Sequence, residues 1–284
     1  MELQKLGAEI FIPDGTPLPA ALARTTALAI SAHQDDIEFM AFDGIIKCFG
    51  RNDAWFTGVV LTDGKGSPRD DLYADFSDEQ MQAVRRLEQK KAAFVGEYAA
   101  QLLLNYGSAE VKDPSNRAVI QELKEIFKAT RPETVYTHNP ADKHDTHVAA
   151  VLKVLQAIRE LPRGERPARV YGCEVWRDLD WLADDRKVVF DLSSHENIAA
   201  AVAGVFDSQI CGGKRYDLAI MGRRRAHATF AATHGVDQAT ALGYAMDLTP
   251  LIQDDTLEVK EYVTGYIRQF VDDVAGKITK LSQK

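Results

Sequence analysis

Apolar, strand-like runs alternate with helix-patterned segments over the first two thirds of the chain. That alternation limits the architecture more than any other feature. "TALAISAH" (26–33) and "WFTGVVLT" (55–62) are two such runs, and "AAQLLLNYG", "ETVYTH", "RVYGCEVW" and "KVVFDL" follow. Between the first two, "DDIEFMAFDGIIKCFG" sets Ile37, Met40, Ile45 and Cys48 at helical spacing and stops at Gly50. Ser77 opens a long helix, with Gln80 in the capping-box position and Gly96 past its end. In "DPSNRAVIQELKEIFKAT", Asp113 reads as an N-cap and Pro114 as the first turn. A further helix is expected from about Asp145 to Glu160. Helices between apolar strands are the pattern of βαβ units with right-handed crossovers. The fold class is therefore α/β, with a Rossmann-like, mostly parallel sheet covered by helices.

After Ser194 the chain reads as mostly helical. Its last segment, from about Leu257 to Leu281, repeats apolar residues every three or four positions from Val259 to Ile278. Docking of that face on the protein's own core is the default expectation, and a subunit contact is the alternative. Without repeats, low-complexity tracts or linker-like stretches, residues 1–284 read as one domain. It has a core at about 25–235 and a helical C-terminal extension at 236–284.

Charge narrows the partners. The formal net charge is -8, which disfavours nucleic acid and anionic membrane surfaces. No apolar run approaches the roughly 18 residues of a membrane span. The first residues, "MELQKLGAEIFIPDG", lack the basic and apolar regions of a secretory signal. Cys48, Cys173 and Cys211 are odd in number and far apart, so they suggest neither a disulfide framework nor a metal knuckle. A reducing, cytoplasmic location is the simplest expectation.

Ligands of open α/β sheets bind beyond the carboxyl ends of the strands. Two such ends here are crowded with titratable groups. The first holds His33, Asp35 and Asp36; the second, "THNPADKHDTH", holds His138, Asp142, His144, Asp145 and His147. His33 and Asp36 are three residues apart, as are His144 and His147, so each pair can share one side of a helical turn. Two histidines and a carboxylate make a three-ligand set for a divalent metal with a position left for water. Asp35 could then take a proton from that water, and a further histidine could donate at the developing oxyanion. A cap or a dipole partner explains either segment alone, but not their joint occurrence at two strand ends.

"AHQDDIE" resembles the A-H-P-D-D-E signature of the PIG-L/LmbE-like N-acetylglucosamine deacetylases, and "PADKHDTH" resembles their second motif. "VVLTDGKGS", "AVRRLEQKKAAFVG", "RPETVYTHNP" and "FDSQICGGKRYD" stand in the expected order, so the likeness spans roughly residues 25–235. The resemblance implies a Rossmann-like fold and zinc held by His33, Asp36 and His147, with ferrous iron as the other candidate ion. It implies Asp35 as general base, His144 as the assisting cation or acid, and Arg85 of an Arg-x-x-Glu pattern with Glu88 as a sugar contact. An ordinary i,i+3 surface pair is the plain alternative for Arg85. The implied activity is removal of an acetyl group from a small amino-sugar substrate. The alternatives are an amidase or other metal hydrolase on a related conjugate, and a non-catalytic metal- and sugar-binding homologue. A homo-oligomer fits either case.

The sequence departs from that family pattern at four places. Gln34 stands for the usual proline, the acid after "DD" is displaced to Glu38, Phe42 and Asp43 occupy places of small residues, and Thr146 replaces an aspartate. Bulk at Phe42 and Asp43 would narrow the pocket. "GKGSPRDD" lacks the phosphate-loop pattern and reads as a loop near the rim. Lys214, Arg215, Arg223, Arg224 and Arg225 read as a solvated helix face, with an anion contact as the alternative. His195, His227 and His234 lack ligand spacing and read as structural.

Overall fold

The computed structural model describes residues 1–282. Eight strands form one sheet: β1 (Glu9–Phe11), β2 (Ala27–Ser31), β3 (Phe56–Thr62), β4 (Ala100–Tyr106), β5 (Thr134–His138), β6 (Arg169–Cys173), β7 (Lys187–Asp191) and β8 (Leu242–Asp247). Their spatial order is β1-β4-β3-β2-β5-β6-β8-β7. The five central strands, β4 to β6, run parallel, and β1, β8 and β7 join antiparallel at the edges. The helices are α1 (Leu18–Ala23), α2 (Asp36–Met40), α3 (Phe42–Cys48), α4 (Asp78–Val95), α5 (Ser108–Lys112), α6 (Ala118–Thr130), α7 (Asp145–Arg159), α8 (Glu196–Gly204), α9 (Asp207–Ile210), α10 (Tyr216–Phe230), α11 (Thr249–Gln253) and α12 (Val259–Ser282).

β2 and β3 are buried at every residue, as continuous apolar strands should be when both faces are covered. On one face Leu123, Ile126 and Phe127 of α6 pack with Val151, Val154 and Ile158 of α7 and with Leu251 of α11. On the other, Ile37 and Met40 of α2 pack with Phe42 and Ile45 of α3, Ala93 of α4 and Val202 of α8. Ser77 and Gln80 form the expected capping box at the start of α4. From β2 the chain winds outward through β3 and β4, then returns to lay β5 on the opposite side of β2. A switch point of this kind opens a crevice beyond the strand ends, and both histidine-bearing segments leave the sheet there.

Two local expectations are corrected. Asp113 ends α5 rather than capping α6, because its carboxylate turns to the Ser115 N–H and hydroxyl. The α6 helix starts four residues beyond Pro114, at Ala118, whose N–H donates to Asn116 Oδ1. The region read as a helical extension also supplies β8, which fills the sheet between β6 and β7. Only the first turns of α12 dock on the core, through Val259, Tyr262, Val263 and Tyr266. From Ile267 onward the apolar face is exposed, with Val271 57% and Leu281 82% accessible. No helix among the described residues is long and apolar enough to cross a membrane.

Candidate metal centre and active site

The two strand ends converge. His33 follows β2, and Asp36 opens α2 one turn later. Asp36 Oδ2 accepts from the His33 backbone N–H at 2.7 Å, which fixes the carboxylate beside its neighbour's ring. His147, on the first turn of α7, is buried with its Nε2 3.1 Å from His33 Nδ1 and 3.4 Å from Asp36 Oδ2. His33 Nδ1 is 3.3 Å from Asp36 Oδ2, which closes the triangle. Ligands about 2.0–2.2 Å from a tetrahedral zinc sit roughly 3.3–3.5 Å from one another, so the donor atoms fit such an ion. The wider clusters that could hold a metal are His33, His144 and His147, and Asp36, His138 and His147.

Residues around this triangle set its tautomers. Asp142 Oδ2 lies 3.4 Å from His147 Nδ1, so the proton belongs on Nδ1 and the Nε2 lone pair faces the triangle. Asp142 is itself held by the N–H groups of His144 and Trp176. His138 stacks on His147 with ring centroids 3.9 Å apart, and its Nε2 accepts the Ala32 N–H at 2.8 Å. That bond occupies the lone pair His138 would need as a ligand. His144 caps α7: its Nδ1 accepts from the Thr146 N–H at 3.3 Å, which leaves Nε2 to carry a proton toward the cavity. Spacing alone missed Asp142 as an orienting residue. Its carboxyl-histidine partnership crosses five positions, from the loop after β5 into the first turn of α7.

Burial and charge separate the two adjacent aspartates. Asp35 sits at φ +84°, an unusual conformation for a non-glycine residue that turns its side chain away from Asp36. Burial pushes its carboxyl up to about 7, against the pull of Arg85 and with the help of the Asp36 charge. Burial also works to raise Asp36, but His147 and His138 outweigh it and hold that carboxyl well below the ordinary range. Burial drives the His147 imidazole down to about 4, and burial with the nearby His33 lowers His144 too. A neutral His147 at pH 7 has its lone pair available for a metal.

Arg85 is not a surface residue. It is 2% exposed and lines the same cavity, with Nη2 donating to Asp35 Oδ2 at 2.8 Å and Nη1 to Glu88 Oε2 at 3.0 Å. Nη2 also meets the Gln34 carbonyl. Glu88 is fixed in turn by the Ser208 N–H and hydroxyl. The Gln34 side chain is buried and donates to the Thr62 carbonyl at 3.0 Å, so it ties the β2 turn to the end of β3. Gly64, at φ +76°, permits this: a Cβ there would stand 2.8 Å from Gln34 Oε1. Phe42 and Asp43 do not narrow the pocket, because both are buried in the layer behind it, where Asp43 accepts from the Tyr136 hydroxyl. The displaced Glu38 is buried too. It accepts from Gln89 and Tyr98 through Oε1, and burial pushes its carboxyl up to about 8.

These groups face a cavity of about 460 Å³ whose lining includes His33, Asp35, Asp36 and His144, with Phe39, Trp176 and Tyr216 as its aromatic wall. A cavity of this size suits a small organic ligand.

Residues 28–158 match the family described as PIG-L, GlcNAc-PI de-N-acetylase. Comparison with curated protein sequences gives no match. Among solved structures, the chain is similar to GalB, the 4-carboxy-2-hydroxymuconate hydratase of Pseudomonas putida KT2440, at 17% identity and a TM-score of 0.62, covering 79% of this chain and 96% of that one. It is also similar to N,N'-diacetylchitobiose deacetylase from Pyrococcus horikoshii, at 18% identity and a TM-score of 0.57, covering 80% and 85%. A third neighbour is teicoplanin deacetylase Orf2 in its zinc inhibited form, at 15% identity and a TM-score of 0.54, covering 78% and 98%. A hydratase and two deacetylases on one scaffold tie these likenesses to the fold rather than to one reaction.

Proposed function

We propose, from the match of residues 28–158 to the PIG-L family, that the protein is a zinc-dependent hydrolase removing the acetyl group of an N-acetylglucosaminyl substrate. The observation that carries the reading is the triangle of His33 Nδ1, Asp36 Oδ2 and His147 Nε2, at 3.1–3.4 Å, with Asp35 beside it. Zinc, when bound, supplies a Lewis acid that polarises the amide carbonyl and makes a water acidic near neutral pH. Ferrous iron would suit the same donors.

The chain's own groups do the rest. Asp35 takes the proton of the attacking water, and a carboxylate whose pKa is near 7 is a strong base for its type at neutral pH. Arg85 holds that carboxylate in place from the α4 side. His144, with its Nε2–H free, donates to the oxygen on which negative charge develops. Asp142 keeps His147 in the ligating tautomer. We read the chain as one catalytic unit. We place it in the cytoplasm, in keeping with its free cysteines.

The test is acetate release from N-acetylglucosamine conjugates by protein loaded with one equivalent of zinc, compared with chelated protein. Stoichiometric loading matters because a zinc inhibited form of one neighbour is known. Zinc-dependent acetate release is expected; release that survives chelation would remove the metal from the account.

A further inference from the structure

Asp35 stands at the N-cap of α2, yet its carboxylate accepts from none of the free N–H groups of that helix. An N-cap aspartate ordinarily spends its carboxylate there. At φ +84° the Asp35 backbone turns the carboxylate to Arg85 and the cavity instead. A residue other than glycine keeps such a conformation only where its surroundings fix it. Whatever fixes Asp35 therefore decides where the base points.

In a capping box, the third helical residue carries an acid or amide that reaches back to the N-cap N–H. Glu38 stands at that third position of α2 but does not reach back itself. The Asp35 N–H donates to Gln89 Oε1 at 3.1 Å, and Gln89 Nε2 donates to Glu38 Oε1 at 2.8 Å. An amide from α4 is thus inserted into the box as a bridge. Its orientation is determined, because an N–H can only donate and so draws the Gln89 oxygen. The Gln89 nitrogen then meets two acceptors, Glu38 Oε1 and, at 3.3 Å, Gln101 Oε1. The Tyr98 hydroxyl also donates to Glu38 Oε1, at 2.8 Å. Glu38, Gln89 and Gln101 have no exposure, so these bonds do not exchange with water. Gln89 follows Arg85 by one helical turn, and the same buried face of α4 grips both the backbone and the carboxylate of Asp35. The displacement of Glu38 by Ile37 matters here: directly after Asp36 an acid would stand at the second helical position, outside the box.

We propose that Gln89 and Glu38 are positioning residues for the hydrolysis, a buried chain from Tyr98 through Glu38 to the Gln89 amide that locks Asp35 in its left-handed turn. The proposal rests on the deacetylase reading above, in which Asp35 is the base. Neither residue lines the cavity, so neither touches substrate. Their effect passes through the Asp35 backbone alone.

The experiment uses zinc-loaded full-length protein and methyl N-acetylglucosaminide. Gln89→Met keeps the volume and removes both hydrogen-bonding groups. Its kcat should fall by about tenfold or more, with KM and zinc content unchanged, since the loss is of an interaction that orients the base. Glu38→Met should fall likewise, and Glu38→Gln, which keeps an acceptor oxygen, should recover most of that rate. An unchanged kcat in folded Gln89→Met, or a loss confined to KM or to zinc content, would overturn the proposal. Equal losses in Glu38→Met and Glu38→Gln would also overturn it. If Gln89→Met does not fold, Tyr98→Phe, which deletes one hydroxyl, takes its place: kcat should fall by about threefold at constant KM, and an unchanged kcat would overturn the chain. If wild type releases no acetate, the deacetylase reading falls and hydrogen exchange decides the positioning. On protein labelled with 15N-aspartate, the Asp35 amide should exchange about tenfold or more faster in the variant, while the Asp145 amide on α7 keeps its rate. Equal exchange at Asp35 would overturn the lock.

Discussion

The switch-point cluster and the outer half of α12 invert the usual partition of a soluble protein in opposite senses. At the cluster, Asp35, Asp36, His138, Asp142 and His147 are buried, although charged groups are rarely buried unless paired. Along α12, Ile267, Phe270, Val271, Val274 and Ile278 are exposed, although a stripe of this kind ordinarily covers a core. The first inversion is compensated inside the chain: each charge has a named partner, and one carboxyl takes up its proton near neutral pH. The second has no compensation from the chain itself. Buried charge held at such cost marks chemistry, whereas an uncovered apolar face marks only that its cover does not come from the described residues.

This contrast can be broken in several places. The largest effect short of removing a ligand is expected from Asp142→Asn, which takes the carboxylate from behind His147. Zinc affinity should fall by about 10–100-fold, read by competition with a chromogenic chelator, while the melting temperature of the metal-free protein changes little. Unchanged affinity would mean that Asp142 serves only the loop. Next comes Arg85→Gln. Arg85 lowers the Asp35 pKa, so its loss should move the acid limb of the kcat/KM profile to higher pH. A fall in rate with the limb unmoved would make Arg85 a substrate contact instead of a positioning residue.

Glu38→Gln probes buried charge without touching the ligands. The Glu38 carboxyl is raised from 4.5 to about 8 on folding, so the folded state binds more protons than the unfolded one between those values. Its contribution is fully present below about pH 4.5 and is lost as pH rises toward 8, at up to about 1.4 kcal/mol per unit. Denaturant unfolding should therefore show the variant gaining on wild type between pH 5 and pH 8. A constant difference would show that Glu38 is ionised throughout. The smallest effect belongs to α12: Phe270→Ser and Val274→Ser should each change stability by less than about 0.5 kcal/mol. A loss of about 2 kcal/mol or more would show the stripe to be covered in solution, as the subunit-contact alternative requires.

Legibility in the sequence followed the strength of local signals. β2, β3, β4 and β5 were readable because strands buried on both faces are continuous apolar runs, and α4 because its capping box is local. β8 was not, since "LGYAMD" is short, carries a glycine, and becomes a strand only by pairing with β6 and β7. Asp113 misled because an aspartate before a proline suits a turn as well as a cap. The ligand candidates were legible as two spaced motifs. The partners that tune them were not: Arg85 meets Asp35 across 50 positions, and His138 acts by stacking and by holding the Ala32 N–H. Periodicity in α12 revealed an apolar face but carried no information about what lies against it.

The central claim is that Asp35 is the base beside a metal held by its neighbours, and Asp35→Asn tests it most directly. Metal content and acetate release should be measured on the same sample of variant and wild type. The account predicts one bound zinc per chain in both proteins and a rate in the variant lowered by about 10²–10⁴-fold. Equal rates at equal metal content would contradict it.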